Sequence, residues 1–318
     1  MAQKVFVGVD IGGTKVAAGL VDAGGAILSQ CRVPMVSNSS AEDGLNAVLA
    51  AISKVIAGSS NVVQGIGICA PGPLDPRTGV VLNPPNVPCW RNFPLAQSVQ
   101  ERHSVPIKVD NDANAAALAE TRWGAAQGYK HVFYATIGTG IGTGIVFDGR
   151  IYHGYTGSAG EGGHVSIDYR GPVCRCGKPG CIEILASGTA IAQRARDLVS
   201  AGEKSTMFEL AGEKANAITG EIVAKASFAG DPLATRILGE AAEMLSVWLS
   251  NMIDLLDPDV IVIGGGAAAL YQPFFDQIRA RVSKITVNPR ANEVPMVGAR
   301  YGADSGIAGG AALCAPST

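Results

Sequence analysis

Apolar runs of strand length alternate along the chain with stretches of helical period, and glycine-rich turns stand between them. The first run, VFVGVD, ends at Asp10 and predicts a strand. A tight IGGTK turn leads into a second strand, VAAGLVD. The Gly24-Gly25 turn leads into a third, antiparallel strand within GGAILSQCRVP. From about Ala41 to Ala57 the apolar positions follow the period of a helix. NVVQGIGICAPGP reads as a buried strand that ends in a Gly/Pro loop. The Pro- and Asn-rich segment 75–94 predicts a long ordered loop, the kind that often carries function. PIKVDNDANAAALAETRWG predicts a strand that runs into a helix starting near Asp112. The first unit therefore reads β-β-β-α-β-loop-α-β-α.

The second half repeats the theme. HVFYATIG and GTGIVFDGR predict two strands around a Gly/Thr turn, and IYHG a third. Helical patterns cover roughly Gly188 to Ala201 and Asp231 to Leu256. DVIVIGGGAAA predicts a strand running into a glycine turn, and GIAGGAALC a small-residue helix at the end. Two halves that each open strand–Gly/Thr turn–strand point to a duplicated architecture. A division near residue 115 is expected, giving a small α/β domain over 1–115 and a larger one over 116–304, with the last helix, about 305–318, joining the first.

Composition narrows the class. The 318 residues are 47% hydrophobic and only 16% charged, which fits a folded α/β protein with buried strands. A formal net charge of −2 gives no basic surface for nucleic acid or an anionic membrane. The apolar run at the N-terminus is shorter than a signal peptide needs, and the apolar stretch Val132–Phe147 is broken by Gly and Thr. A cytoplasmic protein with no membrane span is expected, and disulfides are not.

Candidate chemistry lies in four places. DIGGTK, Asp10 to Lys15, puts Gly12, Gly13 and Thr14 between two strands, where backbone N–H groups and a hydroxyl can approach a phosphate. By itself this is only a glycine hairpin, and it matches neither a Walker A loop nor a GxGxxG helix start. The second such turn, Ile137–Gly144, changes the weighting, because two Gly/Thr hairpins suit two jaws around a nucleotide's phosphates. A third turn, with Gly265 and Gly266, could lie against a flat base.

VDNDANAAALAE sets Asp110, Asn111, Asp112 and Asn114 at a helix start. Capping explains one such residue. Two Asp and two Asn within five positions exceed a cap, and a carboxylate there could serve as general base in phosphoryl transfer.

The stretch from Gly160 to Glu183 supplies His164, Cys174, Cys176 and Cys181. One His and three Cys make a closed set suited to one structural zinc per chain, with no position left open for catalysis. No CxxC is present, which argues against a redox site, and Cys31, Cys69, Cys89 and Cys314 read as ordinary thiols. Glu161 and Glu183 flank the set, so a metal loop that orients a histidine and two carboxylates toward a polyol is a coherent picture.

These stretches, in this order and at these separations from Val5 to Gly310, resemble the ROK family of bacterial repressors, ORF proteins and sugar kinases. The cysteine loop with its upstream Glu-x-x-His is the specific part, and the glycine turns alone are not. The resemblance implies an actin-like, ribonuclease-H-like fold of two α/β domains with the active site in the cleft between them. It implies transfer of phosphate from Mg-ATP to a sugar, with Asp112 as catalytic base. Asn111, Glu161, His164 and Glu183 resemble the family's sugar-hydroxyl ligands, and Asn86 and Gly72 fall where it closes over the sugar. Asp10, Gly12, Gly13, Thr14 and Lys15 resemble the first phosphate loop, with Asp10 near magnesium. Thr139, Gly140 and Thr143 resemble the second loop, and Gly265 and Gly266 the adenosine contact.

The family's repressors carry a helix-turn-helix module before the first phosphate strand. Here Asp10 stands nine residues from the start, so an enzyme is expected rather than a DNA-binding regulator. NPPNVPCW followed by GEGGH is most similar to the family's glucokinases. Kinases of N-acetylmannosamine, N-acetylglucosamine and fructose share nearly all these motifs. A sugar sensor without turnover is the competing class, and a polymerising actin-like ATPase would have no use for the cysteine loop. A homodimer or homotetramer is usual in the family.

Overall fold

The computed structural model describes residues 3–316. Its contacts gather into two units. The first holds the chain up to Tyr134, Gly144–Gly160 and the stretch from Gly298 onward; the second holds Ala135–Thr143 and Glu161–Val297.

In the first unit β1 (Lys4–Ile11), β2 (Lys15–Asp22) and β3 (Ile27–Pro34) are followed by α1 (Ala41–Ile56) and β4 (Val62–Ala70). The 75–94 loop carries a short β5 (Leu74–Asp75) and β6 (Val80–Val81) hairpin. Then come α2 (Leu95–Gln100), β7 (Ile107–Asn111) and α3 (Asp112–Arg122). The sheet runs β3-β2-β1-β4-β7. β1 pairs antiparallel with β2 and parallel with β4, and β4 parallel with β7.

The two-residue period of β1 divides its faces. Val5, Val7 and Val9 join one buried cluster with Ile52 of α1, Trp90 and Leu95. Phe6 joins the other, with Leu118 of α3 and Ile307. Ile307 belongs to α10 (Ser305–Cys314). A Cβ at Gly8 of β1 would lie 1.8 Å from the Ile307 carbonyl oxygen, and one at Gly67 of β4 1.8 Å from that of Gly310. The last helix therefore rests with its backbone on the two central strands, as its small residues allow. The boundary drawn from sequence at 115 falls inside α3, whose Ala115, Leu118 and Ala119 pack in the same cluster as α10.

The chain continues through β8 (His131–Ile137), β9 (Ile141–Phe147) and β10 (Arg150–Ile151). The expected IYHG strand is thus reduced to two residues paired with the end of β9. After the cysteine loop come α4 (Ile182–Ala186), α5 (Gly188–Ser200), α6 (Thr206–Leu210), α7 (Gly220–Phe228) and α8 (Pro232–Leu256). β11 (Val260–Gly264), a 3₁₀ stretch Gly266–Phe274, α9 (Phe275–Ile285) and β12 (Met296–Gly298) complete the series. The second sheet runs β10-β9-β8-β11-β12. Among the described residues, no helix is long and apolar enough to cross a membrane.

Candidate active site

In the first unit β1 ends near Asp10, and the glycine turn returns the chain into β2. The Gly12 N–H donates to the Lys15 carbonyl at 2.9 Å. A Cβ at Gly13 would stand 2.8 Å from the Asn86 carbonyl oxygen, so glycine lets the first turn and the 75–94 loop touch backbone to backbone. Thr14, Lys15 and Asn86 are exposed, and Asp10 is half-buried. Burial and the nearby charge of Asp112 push the Asp10 carboxyl up to about 6, against the pull of Lys15 and Arg32.

Asn111 caps α3: its side-chain oxygen accepts from the N–H groups of Ala113 at 2.9 Å and Asn114 at 3.4 Å. The capping role thus belongs to Asn111 and not to Asp112, which occupies the first helical position and reaches the surface. Asp112 Oδ1 accepts from the Ala113 N–H at 2.8 Å. Although the residue is accessible, the protein massed around its carboxyl raises the pKa; the N–H groups of Ala113 and of Asp112 itself and the Asn111 side chain pull it back. Gly72 lies beside the Asn111 amide, its missing Cβ 3.7 Å from Nδ2.

One partner in this unit escaped the sequence. Asp110 is buried, and its Oδ2 stands 2.7 Å from Nε2 of His153, on the stretch after β10. The Asp110 hydrogen bond raises the His153 pKa, partly opposed by burial. Asp110 stands out in the sequence only as part of the Asp/Asn cluster; nothing local marks its pairing with His153, 43 positions away.

In the second unit the β8–β9 turn is tied from several sides. The Gly138 N–H donates to the Gly140 carbonyl at 2.9 Å, and the Gly188 N–H to that of Gly138 at 2.8 Å. The Ile141 N–H donates to Glu183 Oε2 at 3.0 Å. Thr139 is exposed, whereas Thr143 is buried and its hydroxyl oxygen accepts from the Gly162 N–H at 2.8 Å. Helix starts gather here: α5 at Gly188, α7 at Gly220, which lies against Gly188, and the 3₁₀ stretch after Gly265. Gly265, at φ 89°, rests on the Ile137 backbone. Free N–H groups and the positive end of a helix dipole suit an anion such as a phosphate chain. The sequence already placed a helix start at Gly188, whereas the one at Gly220 was missed, although Thr219-Gly220 is a readable helix start.

Glu161 and His164 flank a single 3₁₀ turn, Gly162–His164, held by Trp248, whose Nε1 donates to the Gly162 carbonyl at 3.0 Å. Glu161 is exposed and His164 half-buried. A Cβ at Gly163 would lie 1.9 Å from the Ile141 carbonyl oxygen, so the turn presses on β9. The cysteine loop doubles back on left-handed Gly177 and Gly180. One ligand atom from each of His164, Cys174, Cys176 and Cys181 lies within 4.8 Å of all the others. His164 Nδ1 is 3.6 Å from Cys174 Sγ, and the sulfurs of Cys176 and Cys181 are 3.5 Å apart. Hydrogen bonding from the Lys178 backbone draws the Cys176 thiol down, while burial raises that of Cys181. Three thiols and one imidazole nitrogen at this spacing could hold a metal ion.

The ROK family model matches residues 6–316. The chain belongs to the ROK family. A glucokinase of Halalkalibacterium halodurans is 34% identical over 314 residues, covering 98% of this chain and 94% of that protein. An N-acetylmannosamine kinase of Salmonella typhi is 31% identical over 310 residues, 98% of each. The crystal structure of a ROK family glucokinase from Streptomyces griseus in complex with glucose and AMPPNP is similar at TM-score 0.81 and 35% identity, over 97% of this chain and 98% of that one. The ROK fold accounts for both five-stranded sheets, and its actin-like α/β architecture agrees with the reading from sequence.

Proposed function

We propose that this ROK protein is an ATP-dependent glucokinase that phosphorylates D-glucose at the 6-hydroxyl. The observation that carries the reading is Asp112, free of the capping role at the start of α3, with its pKa raised by burial of the carboxyl. Similarity to glucokinases across nearly the whole chain supports the substrate.

In this reading the 6-hydroxyl gives its proton to the Asp112 carboxylate as its oxygen attacks the γ-phosphorus. The new O–P bond forms as the bond to the bridging oxygen breaks, and ADP leaves with the electron pair. Asn111, Asn86, Gly72, Glu161, His164 and Glu183 hold the sugar. Asp10 to Lys15, with Thr139 and Gly140, approach the phosphates through backbone N–H groups and hydroxyls. Gly265 and Gly266 receive the adenosine. The burial of Thr143 and its bond to Gly162 give it the task of shaping the second loop. Magnesium, when bound, neutralises charge on the transferring phosphoryl group, with Asp10 the carboxylate on hand.

His164, Cys174, Cys176 and Cys181 would hold one zinc ion, which would clamp the loop and leave the second nitrogen of His164 for the sugar. Reduced cysteines, three of them at the metal set and Cys31, Cys69, Cys89 and Cys314 apart from it, suit a reducing compartment such as the cytoplasm. Family resemblance supports a homodimer or homotetramer, which sedimentation would read.

The test is coupled ADP release with Mg-ATP across glucose, N-acetylmannosamine, N-acetylglucosamine, fructose and mannose. Fastest turnover on glucose is expected. Preference for an acetamido sugar would overturn the substrate, and sugar binding without turnover on any of the five would overturn the enzyme.

A further inference from the structure

Asp110 is a carboxylate with only 6% of its side chain exposed, at the end of the strand that delivers Asn111 and Asp112. Both of its oxygens are bonded. Oδ1 accepts from the Asn111 N–H at 2.7 Å and from Asn114 Nδ2 at 3.2 Å. Oδ2 takes Nε2 of His153 at 2.7 Å. A buried carboxylate is costly unless paired and bonded on all sides. Here the bonds reach both flanks of Asp112: Asn111 before it, which caps α3, and Asn114 after it, on the first turn.

His153 brings the third bond from a different part of the chain. It follows β10, and its own carbonyl accepts from the Ala159 N–H at 3.0 Å, which closes the 153–159 stretch into a loop. A Cβ at Gly154, at φ 68°, would lie 3.0 Å from Ala159 Cβ, so the loop is tight. The imidazole is bonded to Asp110 and carried by this tight loop, with 32% of its side chain meeting solvent.

We infer that Asp110 and His153 form a positioning couple that sets the β7–α3 corner and thereby aims the Asp112 carboxylate at the sugar hydroxyl. This rests on the kinase reading given above. Neither residue touches the reacting atoms in that reading; they act through Asn111 and Asn114. A base displaced by an ångström loses much of its rate while the sugar's other ligands still hold it. Asn111 is one of six groups that hold the sugar in that reading and the other five stand elsewhere, so the imprint falls mainly on kcat and little on KM.

The test compares His153→Ala with His153→Gln, whose amide nitrogen can take the place of Nε2. His153→Ala should lower kcat about tenfold to a hundredfold with the glucose KM within about twofold, and His153→Gln should recover kcat to within about threefold. An unchanged kcat in His153→Ala, an equal fall in both variants, or a loss confined to KM would overturn the couple. Backbone amide signals of Asn111 to Asn114 in the full chain give a readout independent of turnover. They should shift in His153→Ala and stay in His153→Gln; signals unmoved in His153→Ala would overturn the inference. A wild type that phosphorylates no sugar defeats the kinase reading separately, and the amide signals then decide whether the couple sets the corner.

Discussion

The backbone N–H of Ile141 donates to Oε2 of Glu183 at 3.0 Å. A residue of the second Gly/Thr turn thus holds a carboxylate that the family resemblance assigns to the sugar. Gly140, the neighbour of Ile141, makes room for it: a Cβ there would stand 2.4 Å from the same oxygen. Gly140→Ala should push the flexible carboxylate off its donor without unfolding β9. The glucose KM should rise about tenfold, the scale of one charge-assisted hydrogen bond. A KM within error of wild type would detach Glu183 from the sugar.

Asp112→Asn keeps the shape of the corner and removes the proton acceptor. Turnover should fall about a hundredfold to ten-thousandfold while glucose still binds, measured by coupled ADP release and by calorimetric titration. Turnover retained within about tenfold would mean that another group takes the proton.

Asp10 gives a pH signature of stability. Its folded pKa of about 6 lies above the ordinary 3.8. Between those values the folded chain binds more protons than the unfolded one, so this group's contribution falls as pH rises through that window. Above it, the ionised carboxylate costs the fold about 1–3 kcal/mol. Without nucleotide or magnesium, Asp10→Asn should therefore raise Tm near about pH 8 and give no such gain near about pH 4. Calorimetric scans at both values check this; an equal gain at both would assign the effect to something other than charge.

The cysteine loop predicts about one zinc per chain by elemental analysis. Cys176→Ser should lose it, and with it some thermal stability and sugar affinity, because His164 would no longer be anchored. Metal-free wild type, purified without chelator and fully folded, would refute the zinc assignment.

Much of this was legible in the sequence because its signals are local. Short apolar runs mark β1, β2, β4, β8 and β11, since strands buried on both faces are apolar at nearly every position. Glycine turns mark where backbones must approach closely, and His164, Cys174, Cys176 and Cys181 could be grouped by residue type before the fold brought them together. Tertiary structure decided the rest. It assigned the cap to Asn111 and left Asp112 free, buried the Thr143 hydroxyl against Gly162, and tied Glu183 to Ile141. It also set His153 against Asp110 and laid α10 on Gly8 and Gly67. Each of those outcomes depends on which distant group fills a residue's hydrogen-bonding and packing space. Local pattern fixes a residue's conformation and chemical type, but only the folded chain supplies its partner, and the partner sets what the residue does.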